Sequence, residues 1–349
     1  MEKKINVLIV DDSSFMRIFL RNVLESNKNI VVIGTAKNGI EAIEKIKKLQ
    51  PDIVTLDVEM PEMDGLAVLK QIMNENPVPI IMLSTYTREG ADITLKALEL
   101  GALDFIFKPS RVIDMDIDAL KEDLISKIIT LTKSKALGLH SPIYRRKSKI
   151  SFNGEVSKNP KYIIGIGTST GGPSALKQLL TPFPKNIPAS ILIVQHIPAS
   201  FTDSLAQRLN SSCEIEVKVG ERGEMIKSGY AYIAPGDYHM TIYKQGGKCK
   251  INLNTDEPLY GHRPSVDILF HSIGNLSGKE KIGVIMTGMG RDGSTGLKNI
   301  SDNGGYTIAQ NEETCVVFGM PKAAIEIGAA NKILPLQEIN YEILNYIQS

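Results

Sequence analysis

Three short segments carry the residue types that a serine hydrolase needs. They are Gly165-Ile166-Gly167-Thr168-Ser169-Thr170-Gly171-Gly172, Val194-Gln195-His196 and Thr287-Gly288-Met289-Gly290-Arg291-Asp292-Gly293. A serine hydroxyl is a weak nucleophile at neutral pH and needs an adjacent base, which in turn needs a group to orient it. Ser169, His196 and Asp292 supply those three roles. A second set lies upstream: Asp11 and Asp12, Asp57, Ser84 and Lys108-Pro109. Three converging carboxylates repel one another and call for a hard, oxygen-liganded cation such as Mg²⁺. Ser84 and Lys108 would then contact a phosphoryl group on Asp57. Taken alone, Asp11-Asp12 would be a helix cap, but one cap does not account for Asp57, Ser84 and Lys108.

These residues need elements to bring them together. The strand-like runs Ile5–Val10, Ile30–Gly34, Ile53–Asp57, Pro79–Leu83 and Asp104–Phe107 alternate with helical periodicity. Phe15, Phe19 and Val23 share one helix face, as do Ile113, Ile117, Leu120, Leu124 and Ile128. The pattern predicts a (βα)5 doubly wound parallel sheet with helices on both faces. Asp11, Asp12 and Asp57 then meet at the carboxyl edge, where such sheets bind ligands. From Tyr162 a second α/β pattern follows, with buried parallel strands at Tyr162–Ile166, Ser190–Gln195, Ile282–Thr287 and Tyr306–Ala309. Tyr238–Tyr243 and Lys248–Leu253 flank Gln245-Gly246-Gly247, a hairpin signal expected to add an antiparallel edge to the second sheet. The expected organisation is a first domain at 1–132, a basic Gly/Pro-containing linker at 133–160 that reads as a solvated tether, and a second domain at 161–349.

Composition narrows the classes. With 349 residues two domains are expected, and a formal net charge of +1 gives no general pull toward nucleic acid or membrane. The three cysteines, Cys213, Cys249 and Cys315, have no metal-type spacing and suit a reduced, cytoplasmic compartment. Residues 1–10 do not read as a signal peptide, and no apolar run approaches a membrane span.

Gly167-Thr168-Ser169-Thr170-Gly171 fits G-x-S-x-G, which is informative only between a strand and a helix. Tyr162–Ile166 and Ser174–Leu180, with Pro173 in the first turn, provide both. Of five histidines, only His196 ends a buried strand next to the Ser169 unit, where a right-handed crossover sets it beside Ser169. Asp292 would orient its imidazole; the bland alternative is a cap for the following helix. The Thr287–Gly290 turn would present N–H groups to an oxyanion. The order Ser…His…Asp differs from that of α/β-hydrolases. A dinucleotide site is disfavoured, because Thr170 replaces the third glycine and Gln195-His196 stands where a ribose-binding acid belongs.

Residues 1–132 resemble the receiver domain of response regulators through Asp11-Asp12, Asp57 with Met60-Pro61-Glu62-Met63-Asp64-Gly65, Ser84, Phe105 and Lys108-Pro109. That resemblance implies phosphotransfer to Asp57 from a histidine kinase. It implies Mg²⁺ on Asp12, Asp57 and the Glu59 carbonyl, a metal-bound water on Asp11, and Ser84 and Phe105 as a switch pair. Residues from Tyr162 to about Gly328 resemble the catalytic domain of the CheB chemotaxis methylesterases. The motifs are Gly167–Gly172, Gln195-His196-Ile197-Pro198, Tyr232–Asp237, His262–Asp267, Thr287–Gly293 and Phe318-Gly319-Met320-Pro321. This implies phosphorylation-activated hydrolysis of γ-glutamyl methyl esters on chemoreceptors, with deamidation of receptor glutamines. Ser169, His196 and Asp292 carry over as the triad. Thr170, Met289 and His262 carry over to the neighbourhood of the reacting carbonyl. Thr168 and Gly261 depart from residues common in the family. A phospho-regulated binding module and a transcriptional response regulator are the competing classes. The second would need a small basic helical effector that 161–349 does not resemble.

Overall fold

The computed structural model describes residues 3–85, 87–108, 117–133, 152, 158–277 and 280–349. The chain forms two compact units, Met1–His140 and Ser141–Ser349. Pro109, Ile113, His140 and nearly all of the expected linker lie outside the described residues.

In the first unit β1 (Ile5–Val10), α1 (Ser14–Glu25), β2 (Ile30–Ala36), α2 (Gly39–Leu49), β3 (Ile53–Asp57), α3 (Gly65–Glu75), β4 (Ile80–Ser84), α4 (Arg88–Leu100), β5 (Asp104–Phe107) and α5 (Ile117–Leu131) alternate. The strands pair in parallel in the order β2-β1-β3-β4-β5. The switch from β1 to β3 places Asp11, just past β1, beside Asp57 at the end of β3, as a doubly wound sheet requires. β3 and β4 are buried along their whole length, which is why they read as continuous apolar runs. The α1 stripe differs from expectation. Met16, Leu20, Val23 and Leu24 face the core, while Phe15 is 53% exposed. The helix carries two neighbouring apolar ridges, and the inner one contains Met16 and Leu20.

The second unit contains β6 (Tyr162–Thr168), α6 (Gly172–Leu180), β7 (Ala189–Gln195), α7 (Ala199–Ser212), β8 (Glu216–Val219), β9 (Tyr230–Ile233), β10 (His239–Gln245), β11 (Lys248–Asn254), α8 (Val266–Gly274), β12 (Glu280–Ile285), α9 (Ser294–Asp302), β13 (Tyr306–Gln310), α10 (Met320–Glu326), β14 (Lys332–Leu334) and α11 (Leu336–Gln348). Seven strands pair in parallel in the order β14-β13-β12-β6-β7-β9-β8. The hairpin is present, but it does not extend this sheet. β10 and β11 form a separate two-stranded sheet, turned by Gly246 and Gly247 at φ +59° and +76°. Its buried Met240, Ile242, Ile251 and Leu253 join Leu269, Phe270 and Ile273 of α8 in one core. Burying that face against a helix wins over pairing at an edge.

Candidate active site and phosphoacceptor site

Strand register assembles the hydrolase site. β6 lies between β12 and β7, with Gly167 opposite Ile285 and Thr168 opposite Gln195. Ser169 and His196 are the next residues on neighbouring strands, and the His196 N–H donates to the Thr168 carbonyl at 3.1 Å. The backbone of Ser169 is fixed on both sides. Its N–H donates to the Thr287 carbonyl at 3.0 Å, and its carbonyl accepts from Gln195 Nε2 at 2.9 Å. Gly171, at φ +75°, caps α6, and a Cβ on Gly172 would come within 1.9 Å of Gln195 Oε1. Thr168 is fully buried, and its hydroxyl also donates to the Thr287 carbonyl, at 2.9 Å.

Asp292 does not cap α9, whose cap is Gly293 without a side-chain bond. Its carboxylate sits instead at the N-terminus of α8. It accepts from the Ser265 hydroxyl at 2.8 Å, the Val266 N–H at 2.7 Å, the Asp267 N–H at 2.9 Å and His196 Nε2 at 2.8 Å. The unpaired N–H groups and dipole of a helix start favour an anion. Burial alone would raise this carboxyl, but the His196 bond and charge and the two backbone N–H groups hold it below its ordinary value. Gly167 permits the arrangement: a Cβ there would lie 2.1 Å from Val266 Cγ1, so its bareness lets α8 lie over β6.

Asp292 takes His196 Nε2, so the ring has only Nδ1 left, and that atom is buried without a hydrogen-bond partner. An unprotonated ring nitrogen without a partner can accept a proton, and the strand register makes His196 the neighbour of Ser169 in the backbone. The His262 ring stacks on His196, with centroids 3.9 Å apart and planes inclined by 12°. Burial, and then the neighbouring His196, push His262 down to about 4, so it is neutral at pH 7. The expected oxyanion turn is narrower than the sequence suggested. The Thr287 N–H is taken by Gln310 Oε1 at 2.8 Å and the Gly288 N–H by the Val317 carbonyl at 3.0 Å. The Thr170 carbonyl accepts from the Thr287 hydroxyl at 2.9 Å.

In the first unit, ligand atoms of Asp11, Asp12 and Asp57 lie within 4.8 Å of one another. Lys108 Nζ stands 2.8 Å from Asp11 Oδ2 and 2.5 Å from Asp57 Oδ2. Burial pushes Asp57 up to about 6, against the pull of Lys108 and helped by Asp11. Lys108 is held above its ordinary value by Asp57 and Asp11 in spite of burial. One ammonium cannot balance three carboxylates, and this all-oxygen donor set fits a hard cation. Glu59, exposed, donates its N–H to Asp57 Oδ1 at 3.2 Å. Ser84 is buried, and its hydroxyl accepts from Thr94 Oγ1 at 2.6 Å. Phe105 is 8% exposed and lies edge-on to Phe107.

Comparison with known proteins decides the family. Residues 164–343 match the CheB methylesterase family model and residues 7–118 the response regulator receiver domain model. The chain belongs to the CheB methylesterase family. It is 51% identical over 343 residues to a protein-glutamate methylesterase/protein-glutamine glutaminase of Halalkalibacterium halodurans, covering 97% of each chain. Its identity to the protein of the same name from Pyrococcus abyssi is 45% over 348 residues, covering 99% of this chain and 94% of that one. The crystal structure of the Thermotoga maritima CheB methylesterase catalytic domain matches with 43% identity and a TM-score of 0.52, covering 55% of this chain and all of that one. A CheB-family hydrolase behind a receiver leaves no place for a transcriptional effector or a binding module without chemistry. Sequence reasoning missed the contacts of Gln195 with the Ser169 carbonyl and of Ser265 with Asp292. A capping residue before the apolar run Val266–Phe270 was the available signal for Ser265.

Proposed function

We propose that Ser169, His196 and Asp292 form the triad with which this CheB-family enzyme hydrolyses γ-glutamyl methyl esters, and deamidates glutamines, on chemoreceptors during chemotactic adaptation. The observation that carries the reading is the 2.8 Å His196–Asp292 pair, whose carboxylate is gathered by three further donors one strand away from Ser169. Ser169 Oγ attacks the side-chain carbonyl while His196 takes the hydroxyl proton at Nδ1. Asp292 stabilises the resulting imidazolium through Nε2. His196 then returns the proton to the departing methoxide, releasing methanol, or to the amide nitrogen, releasing ammonia. Water, deprotonated by the same imidazole, cleaves the acyl-enzyme and leaves a glutamate. Thr170, the Met289 backbone and His262 flank the reacting carbonyl.

The receiver (1–132) accepts a phosphoryl group at Asp57 from a histidine kinase, and this raises the rate of the hydrolase domain (161–349) across the 133–160 linker. Asp12, Asp57 and the Glu59 carbonyl would hold Mg²⁺, with Asp11 on a bound water. The ion supplies positive charge that Lys108 alone cannot. Ser84 and Phe105 form the switch pair. No helix among the described residues is long and apolar enough to cross a membrane, and the protein works in the cytoplasm on the inner portions of its receptors. The deciding experiment treats carboxyl-methylated receptor cytoplasmic fragments with the phosphorylated enzyme and measures methanol while mapping the new glutamates. No methanol from the wild-type protein would overturn the substrate assignment.

A further inference from the structure

Outside the triad, one fully buried histidine is bonded to the structure that holds Asp292. His239 opens β10 and is 0% exposed. Its Nε2 lies 3.1 Å from the Glu257 carbonyl, and its Nδ1 lies 3.1 Å from the Ser265 N–H. A carbonyl can only accept and an N–H can only donate. The ring is therefore the neutral tautomer with its proton on Nε2, and Nδ1 is the acceptor. Ser265 is the residue from which the Asp292 clamp starts. Its hydroxyl binds Asp292 Oδ1, and the next two N–H groups bind the same carboxylate. The N–H of Ser265 itself is spoken for by His239, so the imidazole fixes the pitch of the α8 start relative to Asp292.

We propose that His239 is a positioning residue for the hydrolytic reaction, acting through Ser265 and Asp292 on His196. The inference rests on the triad reading. Without the Nδ1 acceptor the Ser265 N–H would be buried without a partner. That cost is relieved by rotating the cap, and rotation turns three donors away from the Asp292 carboxylate. Asp292 then loses its grip on His196 Nε2, and the imidazole no longer presents Nδ1 to Ser169. A misplacement of about 1 Å at reacting groups is enough to cost about 10²-fold in rate.

The two polar replacements separate the two bonds. Asparagine sets an amide oxygen close to where Nδ1 stands and keeps the acceptor for Ser265. Glutamine reaches the Nε2 position, keeps the donor to Glu257 and loses that acceptor. With the full phosphorylated chain and a carboxyl-methylated receptor cytoplasmic fragment, H239Q is expected to lower kcat about 10²-fold with KM within about 2-fold, whereas H239N stays within about 5-fold of wild type. In a D292N background, H239Q should add less than about 3-fold, because residues acting through one another are not additive.

A folded H239Q at wild-type kcat overturns the inference. So does H239N as impaired as H239Q, and so does the full H239Q loss repeated on top of D292N. If H239Q does not fold by circular dichroism, H239N decides: normal kcat supports the role and a folded, slow H239N removes it. Wild-type turnover in D292N alone removes the triad reading and this inference with it, whereas an inactive D292N beside a fully active H239Q removes this inference only.

Discussion

His262 lies flat against His196, ring on ring at 3.9 Å, yet only His196 is bonded to a carboxylate. Two adjacent imidazoles cannot both carry a proton cheaply, and burial selects His262 as the one that stays neutral.

That neutrality has a stability signature. The folded-state value of His262 is depressed from 6.5 to about 4. Above about pH 6.5 both folded and unfolded chains hold it neutral, and it costs nothing. As pH falls from 6.5 toward 4 the unfolded chain takes the proton first, and stability drops by at most ~3 kcal/mol, less whatever the solvent screens. H262F keeps a stacked ring and cannot titrate. Thermal melts should show wild type losing ground to H262F between pH 6.5 and 4. A constant gap in Tm across that window would contradict the buried, neutral assignment.

Removing the nucleophile should be the most severe change. S169A is expected to lower methanol release by several orders of magnitude with Tm nearly unchanged, and H196A almost as much, since triad members act as a unit. D292N keeps acceptor capacity toward Ser265 and should fold, but it loses the charge that fixes His196, lowering kcat by up to ~10⁴-fold. Methanol release by S169A near the wild-type rate would exclude Ser169 as nucleophile.

Gly167→Ala tests the packing that delivers the clamp. The new Cβ would sit 2.1 Å from Val266 Cγ1, so α8 must move. Overpacking of this kind costs ~1–3 kcal/mol, and the displaced Val266 N–H belongs to the Asp292 clamp. Urea unfolding should show the loss, and kcat should fall with it. A variant with wild-type stability and rate would mean that α8 is not held where Gly167 allows it.

Asp57 should accept phosphate from a small phosphodonor only with a divalent cation present, because Lys108 is the single ammonium paired with Asp11 and Asp57 among the described residues. Labelling with a radioactive donor should vanish in EDTA and in D57A. Incorporation that survives both would place the phosphoryl group elsewhere.

The parts of this molecule that could be read from sequence are those where one local rule suffices. β1, β3 and β5 read directly, as short apolar runs ending in charged residues. Ser169 and His196 were legible because each ends a wholly buried strand, and adjacent parallel strands put consecutive ends side by side. β8 and β14 were not read, since they are short edge strands with exposed residues and no alternation long enough to see. The second role of Asp292 was invisible for a different reason. Its partners Ser265, Val266 and Asp267 belong to a helix start that reaches it only through the bareness of Gly167, and no spacing along the chain encodes that approach. The same holds for the hairpin, whose turn is local but whose docking on α8 is tertiary.

The order in which β6, β7 and β12 enter their sheet has a consequence for the enzyme's birth. Ser169 and His196 leave the ribosome early, on two strands that are neighbours in the finished sheet. Asp292 and the α8 start that grips it come much later, and β12 must slot in on the other side of β6 before the carboxylate meets the imidazole. A nascent chain therefore carries a serine and a histidine with nothing to orient them. On the triad reading, the group that orients the histidine is the last of the three to be made, and the site is complete only once the last third of the protein has docked.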